Sequence, residues 1–194
     1  MSPDEIIETS LSYLQRAREA LVWKVEGLSP YDARRPMTPT GTNLLGLVKH
    51  VAIVEHGYLG LLLGSGIDLP EGWEDEEPPN VDMWVRADQP AELVLDTYRR
   101  VWANSDETVR RLGPDATTEV PWWPEDRRTV SVALLLTHVI AETNRHGGHA
   151  DIVREMVDGA TGLSPRNSNL PEGDEAWWRA YHQQVEEQAR AAQR

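Results

Sequence analysis

Three side chains that can bind a metal ion recur at steps of four residues in the second half of the chain. In the segment THVIAETNRHGGHAD these are His138, Glu142 and His146, and His149 follows three residues later. A step of four along an α-helix turns a side chain by about 40° and moves it by about 6 Å, so the first three share one helix face. A carboxylate and an imidazole one turn apart can chelate one divalent ion, which makes this segment a candidate metal site.

A further histidine, His50, interrupts the apolar segment LLGLVKHVAIV, whose spacing is helical. One ligand from a facing helix would complete three protein ligands, His50, Glu142 and His146, and leave positions open for water or substrate, as a catalytic site requires. Two histidines and one carboxylate suit zinc, nickel or ferrous iron, and the ligand types do not choose among these metals. The pattern supports two interpretations equally: that these histidines bind a metal ion, and that they are hydrogen-bonded core residues.

The remaining histidines have weaker claims to a metal. We expect His138 and His149 to support the ligands or the fold, although each is a candidate for a fourth ligand. We interpret His56 and His182 as surface or packing residues.

The composition leaves histidines and carboxylates as the residues able to do distinctive chemistry. The 194 residues include no cysteine, which excludes a disulfide framework, thiolate zinc sites and a protein thiol nucleophile. The net charge is −13, so no basic surface is expected to bind nucleic acid. No uninterrupted apolar stretch approaches the ~20 residues that span a bilayer, and the acidic N-terminus is unlike a signal peptide. We therefore expect a soluble cytoplasmic protein that contacts neither nucleic acid nor membrane.

Helical periodicity predicts an all-α fold with four long helices and a fifth, polar helix at the C-terminus. No segment alternates with the period of two that a half-buried strand requires. The lengths of the first four helices suit a bundle, and the connection between the second and third is long and acidic. The predicted helices cover residues 3–26, 42–63, 91–112, 129–158 and 174–193.

Two segments of the chain resemble the DinB superfamily of bacterial four-helix proteins, close to its mycothiol-dependent branch and to a branch with no assigned reaction. They are TNLLGLVKHVAIVEHGYLG and LLLTHVIAETNRHGGHADIVREMVDGATG. The resemblance covers residues 1–165 and implies a four-helix bundle of the up-down-down-up type. Residues 166–194 would then form a strap and an additional helix, packed either on the bundle or at a dimer interface.

The resemblance also implies one divalent ion, held by a histidine of the second helix and by a pair four residues apart in the fourth. By position these ligands are His50, Glu142 and His146, the same three residues that the spacing selects. Many members have histidine at the middle position, but the thiol-dependent relatives that act on maleylpyruvate have glutamate, as here. His149 stands where many members have glutamine, and we predict that it is a catalytic group beside the metal.

The function implied by the resemblance is a metal-dependent enzyme that activates a low-molecular-weight thiol, such as mycothiol, or water. The reaction would be of the thiol-dependent transferase or isomerase type, with zinc as the first expectation for the metal and nickel or iron as alternatives. The absence of cysteine fits a thiol that arrives as a cosubstrate. We predict that Trp84, Trp122 and Trp123, which lie in connections near helix ends, contribute to the wall of a small-molecule substrate site.

Two other functions share the same residues. A metal-stabilised helical bundle without catalysis, binding a small ligand or a protein partner, would have four protein ligands rather than three. A ferrous oxygenase would use the same two histidines and one carboxylate. The aromatic residues Trp177, Trp178 and Tyr181 of the last helix leave open both a homodimer and a helix that packs back on its own bundle.

Overall fold

The computed structural model describes residues 2–75 and 78–193, and within them the chain is mainly helical, as predicted. This agrees with the predicted all-α class. A short antiparallel hairpin that was not predicted precedes the fourth helix, and its three-residue strands are too short for alternation to be visible in the sequence. The elements are α1 (Pro3–Trp23), α2 (Leu44–Glu55), α3 (Ala91–Leu112), β1 (Thr117–Glu119), β2 (Thr129–Ser131), α4 (Val132–Asp158) and α5 (Glu175–Ala191).

Helix α1 begins where its capping residues predict and ends three residues earlier than predicted. At its start, the hydroxyl of Ser2 accepts from the backbone N–H of Glu5, whose carboxylate accepts from the N–H of Ser2. At its end, the guanidinium of Arg154 on α4 donates to the carbonyl oxygens of Lys24 and Glu26 at 2.9 and 3.0 Å. Because Arg154 binds these carbonyls, they do not need the backbone N–H groups that a further helical turn would supply.

Helix α2 ends at Glu55, eight residues before the predicted end, but irregular helical turns continue to Leu63, where the prediction places the end. After Glu55 the chain makes a π-helical turn over His56–Gly60 and a 3-10 turn over Leu61–Leu63. Gly64, with φ 70°, ends the segment in the left-handed conformation that glycine adopts without steric cost. Inserted π-turns often lie near functional sites.

Two clusters of buried apolar side chains fill the space between α1, α2, α3 and α4. Helix α1 packs mainly against α4, whereas α2 packs against both α3 and α4. The cluster around α2 includes Leu21, Leu44, Val48, Tyr98, Val101 and Val153. The cluster toward the start of α4 includes Leu11, Leu14, Val109, Leu135 and Val139.

A buried ion network joins α1, α2 and α3. The guanidinium of Arg18 lies 2.5 Å from a carboxylate oxygen of Glu55 and 2.9 Å from one of Asp106, and the side chains of Arg18 and Glu55 are fully buried. Burial alone would lower the pKa of Arg18, but the two carboxylates outweigh it and raise this pKa above its usual value. Burial also raises the pKa of Glu55, and the neighbouring Arg18 opposes this effect. Because the two side chains are buried against each other, removing either partner is costly.

One described segment, Leu44–Leu63, is long and apolar enough to cross a membrane by length and composition alone. It contains α2 and the turns that follow, and 67% of the window is buried inside the protein. A core helix passes the same test, so this finding is weak evidence for a membrane span.

The C-terminal helix α5 has no buried residue. Trp177, Tyr181 and Val185 lie one turn apart along it, and each is 42–52% exposed. The rings of Trp177 and Tyr181 stack on each other, with centroids 5.5 Å apart.

The ion network yields a prediction about stability. We expect Glu55→Gln to lower the free energy of unfolding by about 3 kcal/mol, because Arg18 would lose its closest buried partner. Urea unfolding followed by circular dichroism measures this change. The control Glu8→Gln removes the partner of Arg110 at the surface, where both side chains are about half exposed, and should shift the midpoint far less. Equal stability of Glu55→Gln and the wild type would contradict the prediction.

Candidate functional site

Two of the predicted ligands meet where α2 crosses α4. The rings of His50 and His146 lie edge to face with their centroids 4.6 Å apart. The side chain of His50 is 20% exposed and that of His146 is 7% exposed, so the pair lies at the rim of the core. The ring of His149 is 5.3 Å from that of His146 and extends the group along α4.

Glu142 joins this group one helical turn before His146. An oxygen of its carboxylate is 3.4 Å from Nε2 of His146, and the same oxygen is 3.8 Å from the guanidinium of Arg145. The structure therefore brings together His50, Glu142, His146 and His149, all four residues to which the sequence assigned a metal or catalytic role.

His146 has an unusual environment for a buried imidazole. Neither of its ring nitrogens makes a hydrogen bond within the described residues, whereas buried polar atoms usually have a partner. Burial, followed by the neighbouring His50, lowers the pKa of His146 to about 4, and the opposing effect of Glu142 is smaller. At neutral pH the ring is uncharged, which is the form that binds metals.

Asp82 contacts His50, although nothing in the sequence pattern singled this residue out. One carboxylate oxygen of Asp82 is 2.6 Å from Nδ1 of His50. Asp82 belongs to the long connection between α2 and α3, 32 residues from His50, and no periodic pattern links the two positions. The only available signal was its position in an acidic loop that is long for a helical protein.

A cavity of about 420 Å³ opens beside these residues. Its walls come from four places: the loop before α2, α2 itself, the turn that carries Asp82, and α4. Among the residues that line it are Thr40, Thr42, Asn80, Arg145 and His149. The cavity is therefore accessible to a polar small molecule.

Two of the three predicted tryptophans, Trp122 and Trp123, lie away from this cavity. Trp122 and Trp123 donate their indole N–H groups to the hydroxyl of Tyr58 at 3.0 and 3.2 Å, and the ring of His138 lies 4.6 Å from that of Tyr58. Trp123 lines a separate cavity of about 640 Å³ near the start of α4. Within the described residues, neither these two tryptophans nor Trp84, which is 40% exposed, lines the cavity at His50. A role for the three in substrate binding stays a prediction.

The imidazole and carboxylate groups at the site are of the types that bind a divalent ion. Their side chains are not yet arranged so that three of them could coordinate the same ion. His146 offers two unpartnered ring nitrogens, and Glu142 offers a half-buried carboxylate beside them. In residues 2–75 and 78–193, no group of three or more histidine, aspartate or glutamate side chains is placed to hold a metal ion. Binding of an ion would therefore require these side chains to reorient.

The mainly helical chain, with a histidine of α2 beside a Glu–His pair of α4, belongs to the DinB-like class. A family model described as Mycothiol-S-transferase matches residues 9–159, which extend from α1 to the glycine that ends α4. The chain thus belongs to the mycothiol S-transferase family of DinB-like proteins, and the predicted resemblance is confirmed. No curated protein matches the chain.

The lowered pKa of His146 predicts a pH dependence of stability in metal-free protein. Between about pH 6.5 and pH 4 the unfolded chain takes up a proton at this histidine. The folded chain does not, because its pKa is about 4. The free energy of unfolding should therefore fall as the pH is lowered through this range.

Chemical denaturation at a series of pH values, in wild type and in His146→Gln, measures the effect. The variant should lose less stability on acidification than the wild type. His182→Gln removes a histidine from exposed α5 and should follow the wild-type curve. Identical pH profiles for wild type and His146→Gln would contradict the assignment.

Proposed function

We propose that the protein is a metal-dependent enzyme of the thiol-dependent transferase or isomerase type, which activates a low-molecular-weight thiol such as mycothiol, or water, for attack on a small electrophilic molecule. The observation that carries this proposal is His146, a buried imidazole with two unpartnered ring nitrogens, beside His50 and Glu142. The membership of the chain in the mycothiol S-transferase family supports the choice of thiol. A cytoplasmic location follows from the same choice, since such thiols are cosubstrates within the cell.

The proposed ligands of the ion are His50, Glu142 and His146, and zinc is the first candidate, with nickel and ferrous iron as alternatives. A bound ion of this kind lowers the pKa of a coordinated thiol or water, so that a nucleophile is available at neutral pH. The chain has no cysteine, so the thiol comes from outside it.

The protein's own residues would orient the reactants and move a proton. Thr40, Thr42 and Asn80 supply hydroxyl and amide groups in the cavity wall, where they can bind polar groups of the thiol cosubstrate. His149 lies on the same wall and beside His146, and we assign it the proton transfer. A contact of Trp84, Trp122 and Trp123 with the electrophile stays a prediction, since none of the three lines the cavity at His50.

The overall arrangement that we propose is the up-down-down-up four-helix bundle over residues 1–165, with residues 166–194 as an appended strap and helix. The unburied aromatic residues of α5 are compatible with a homodimer or with packing on the same chain.

A structural ion is the alternative function, because His149 is near enough to His146 to be considered as a fourth ligand. Four protein ligands would close the site and leave no position for a substrate. The protein would then be a non-catalytic, metal-stabilised bundle that binds a small ligand or a protein partner.

The metal content of the purified protein tests the proposal directly. Wild type prepared without chelators should carry one divalent ion per chain, measured by inductively coupled plasma mass spectrometry. His50→Ala and His146→Ala should each lose most of it, because each removes one of three ligands. His138→Ala is the matched control, since His138 packs against Tyr58 and Trp123 away from the site, and it should keep its metal. A wild type without stoichiometric metal would rule the proposal out.

A second test separates catalysis from a structural ion. Wild type should consume mycothiol in the presence of an electrophile such as monobromobimane, faster than the uncatalysed rate. His149→Gln should keep its metal and lose about 10²-fold in kcat, since it removes a proton carrier and not a ligand. If His149→Gln instead loses the metal, His149 is a fourth ligand and the structural alternative is correct. Iron-dependent oxygen consumption would identify an oxygenase.

A further inference from the structure

We propose that Asp82 is a positioning residue that fixes the ring orientation and the tautomer of His50, so that Nε2 is the nitrogen presented to the site. The inference rests on the proposed metal site and deepens it, because it names the group that prepares one of the ligands. Asp82 itself is not proposed as a ligand.

The contact between the two side chains determines which nitrogen carries the proton. Oδ2 of Asp82 lies 2.6 Å from Nδ1 of His50, within hydrogen-bond distance. A carboxylate only accepts hydrogen bonds, so the neutral imidazole must donate from Nδ1, and its Nε2 then has a free lone pair. A histidine that binds a metal through one nitrogen commonly donates the other N–H to a carboxylate, which makes the ring more basic and fixes its direction.

The turn that carries Asp82 is fastened to the first residues of α2 at several points. Asn43, the residue before α2, donates its side-chain N–H to the carbonyl of Met83 at 3.0 Å, and its side-chain oxygen caps the N–H of Gly46 at 2.8 Å. A β-carbon on residue 46 would overlap the carbonyl of Met83, so this close approach of the turn to the helix requires glycine.

Lys49, three residues beyond Gly46 on α2, also binds this turn. Its ammonium donates to the carbonyls of Val81 and Trp84 at 2.6 and 3.1 Å, and the residue is 2% exposed. A buried ammonium needs such acceptors to offset the loss of its hydrating water. The lysine therefore fixes the position of the backbone on both sides of Asp82. Lys49 precedes His50 directly, and the helix therefore holds both the imidazole and the turn that orients it.

An incidental surface ion pair would not need this construction. Isolated pairs at a surface gain little and are free to separate. Here a buried lysine, a capping asparagine and an obligatory glycine all contact the four residues from Val81 to Trp84. Burying Lys49 costs free energy. We infer that this cost is retained because the contacts of Lys49 maintain the position of Asp82 relative to His50.

The first arm of the test measures the affinity for zinc by competition with a coloured chelator. Asp82→Ala should bind zinc 10- to 100-fold more weakly than the wild type, the loss expected when the partner of a metal-binding histidine is removed. Asp88→Ala removes an exposed carboxylate of the same connection, which pairs with Arg86, and should leave the affinity unchanged. Wild-type affinity in Asp82→Ala would overturn the proposal, whereas absence of zinc from the wild type would overturn the metal site instead.

The second arm needs no metal. Nitrogen-15 NMR of the histidine side chains, at a pH where the rings are neutral, should show His50 protonated at Nδ1 in the wild type and largely at Nε2 in Asp82→Ala. Asp82→Asn keeps an acceptor oxygen and should keep the wild-type tautomer. Lys49→Met removes both hydrogen bonds to the turn and a positive charge that acts on Asp82, and it should shift the tautomer toward that of Asp82→Ala. A wild-type His50 protonated at Nε2, or a tautomer that Asp82→Ala leaves unchanged, would overturn the proposal whether or not metal binds.

Discussion

The burial of α2 between α3 and α4 is the constraint on which the rest of the structure depends. A helix that is covered on most sides can keep a polar side chain only if a partner meets it. Glu55 is fully buried and pairs with Arg18, and the ammonium of Lys49 is buried and binds two backbone carbonyls. The partner of Glu55 lies on α1, and the partners of Lys49 lie in the connection between α2 and α3. The polar contacts of α2 therefore also determine the positions of α1 and of this connection.

His146 departs from this rule at both of its ring nitrogens, whereas the other buried side chains of the described residues that lack a hydrogen bond, such as His56, lack it at one atom. His146 is buried like Glu55 and Lys49, yet neither ring nitrogen makes a hydrogen bond within the described residues. A buried group without a partner costs stability, and such costs are retained where they serve a function. The neighbours of His146 are those that a metal site uses, another imidazole from α2 and a carboxylate one turn away on α4.

The sequence predicted the helices correctly where their ends depend on neighbouring residues along the chain. The boundaries of α3 and α4 follow from apolar spacing together with the stop at Gly113 and the capping residues Ser131 and Gly159, and they agree with the structure within a few residues. The predictions failed where distant contacts decide. Helix α1 ends early because Arg154 binds the carbonyls beyond it, and the strands of the hairpin exist only through pairing with each other.

The same division applies to the site. The sequence by itself determined that Glu142 and His146 share one face of α4, because a step of four residues is a property of the helix alone. That His50 joins them, that Asp82 contacts His50, and that Trp122 and Trp123 gather around Tyr58 were decided only by the tertiary structure. These contacts connect residues 32 to 96 positions apart, and a periodic pattern carries no information over such separations. They depend instead on how buried polar groups of different elements find their partners.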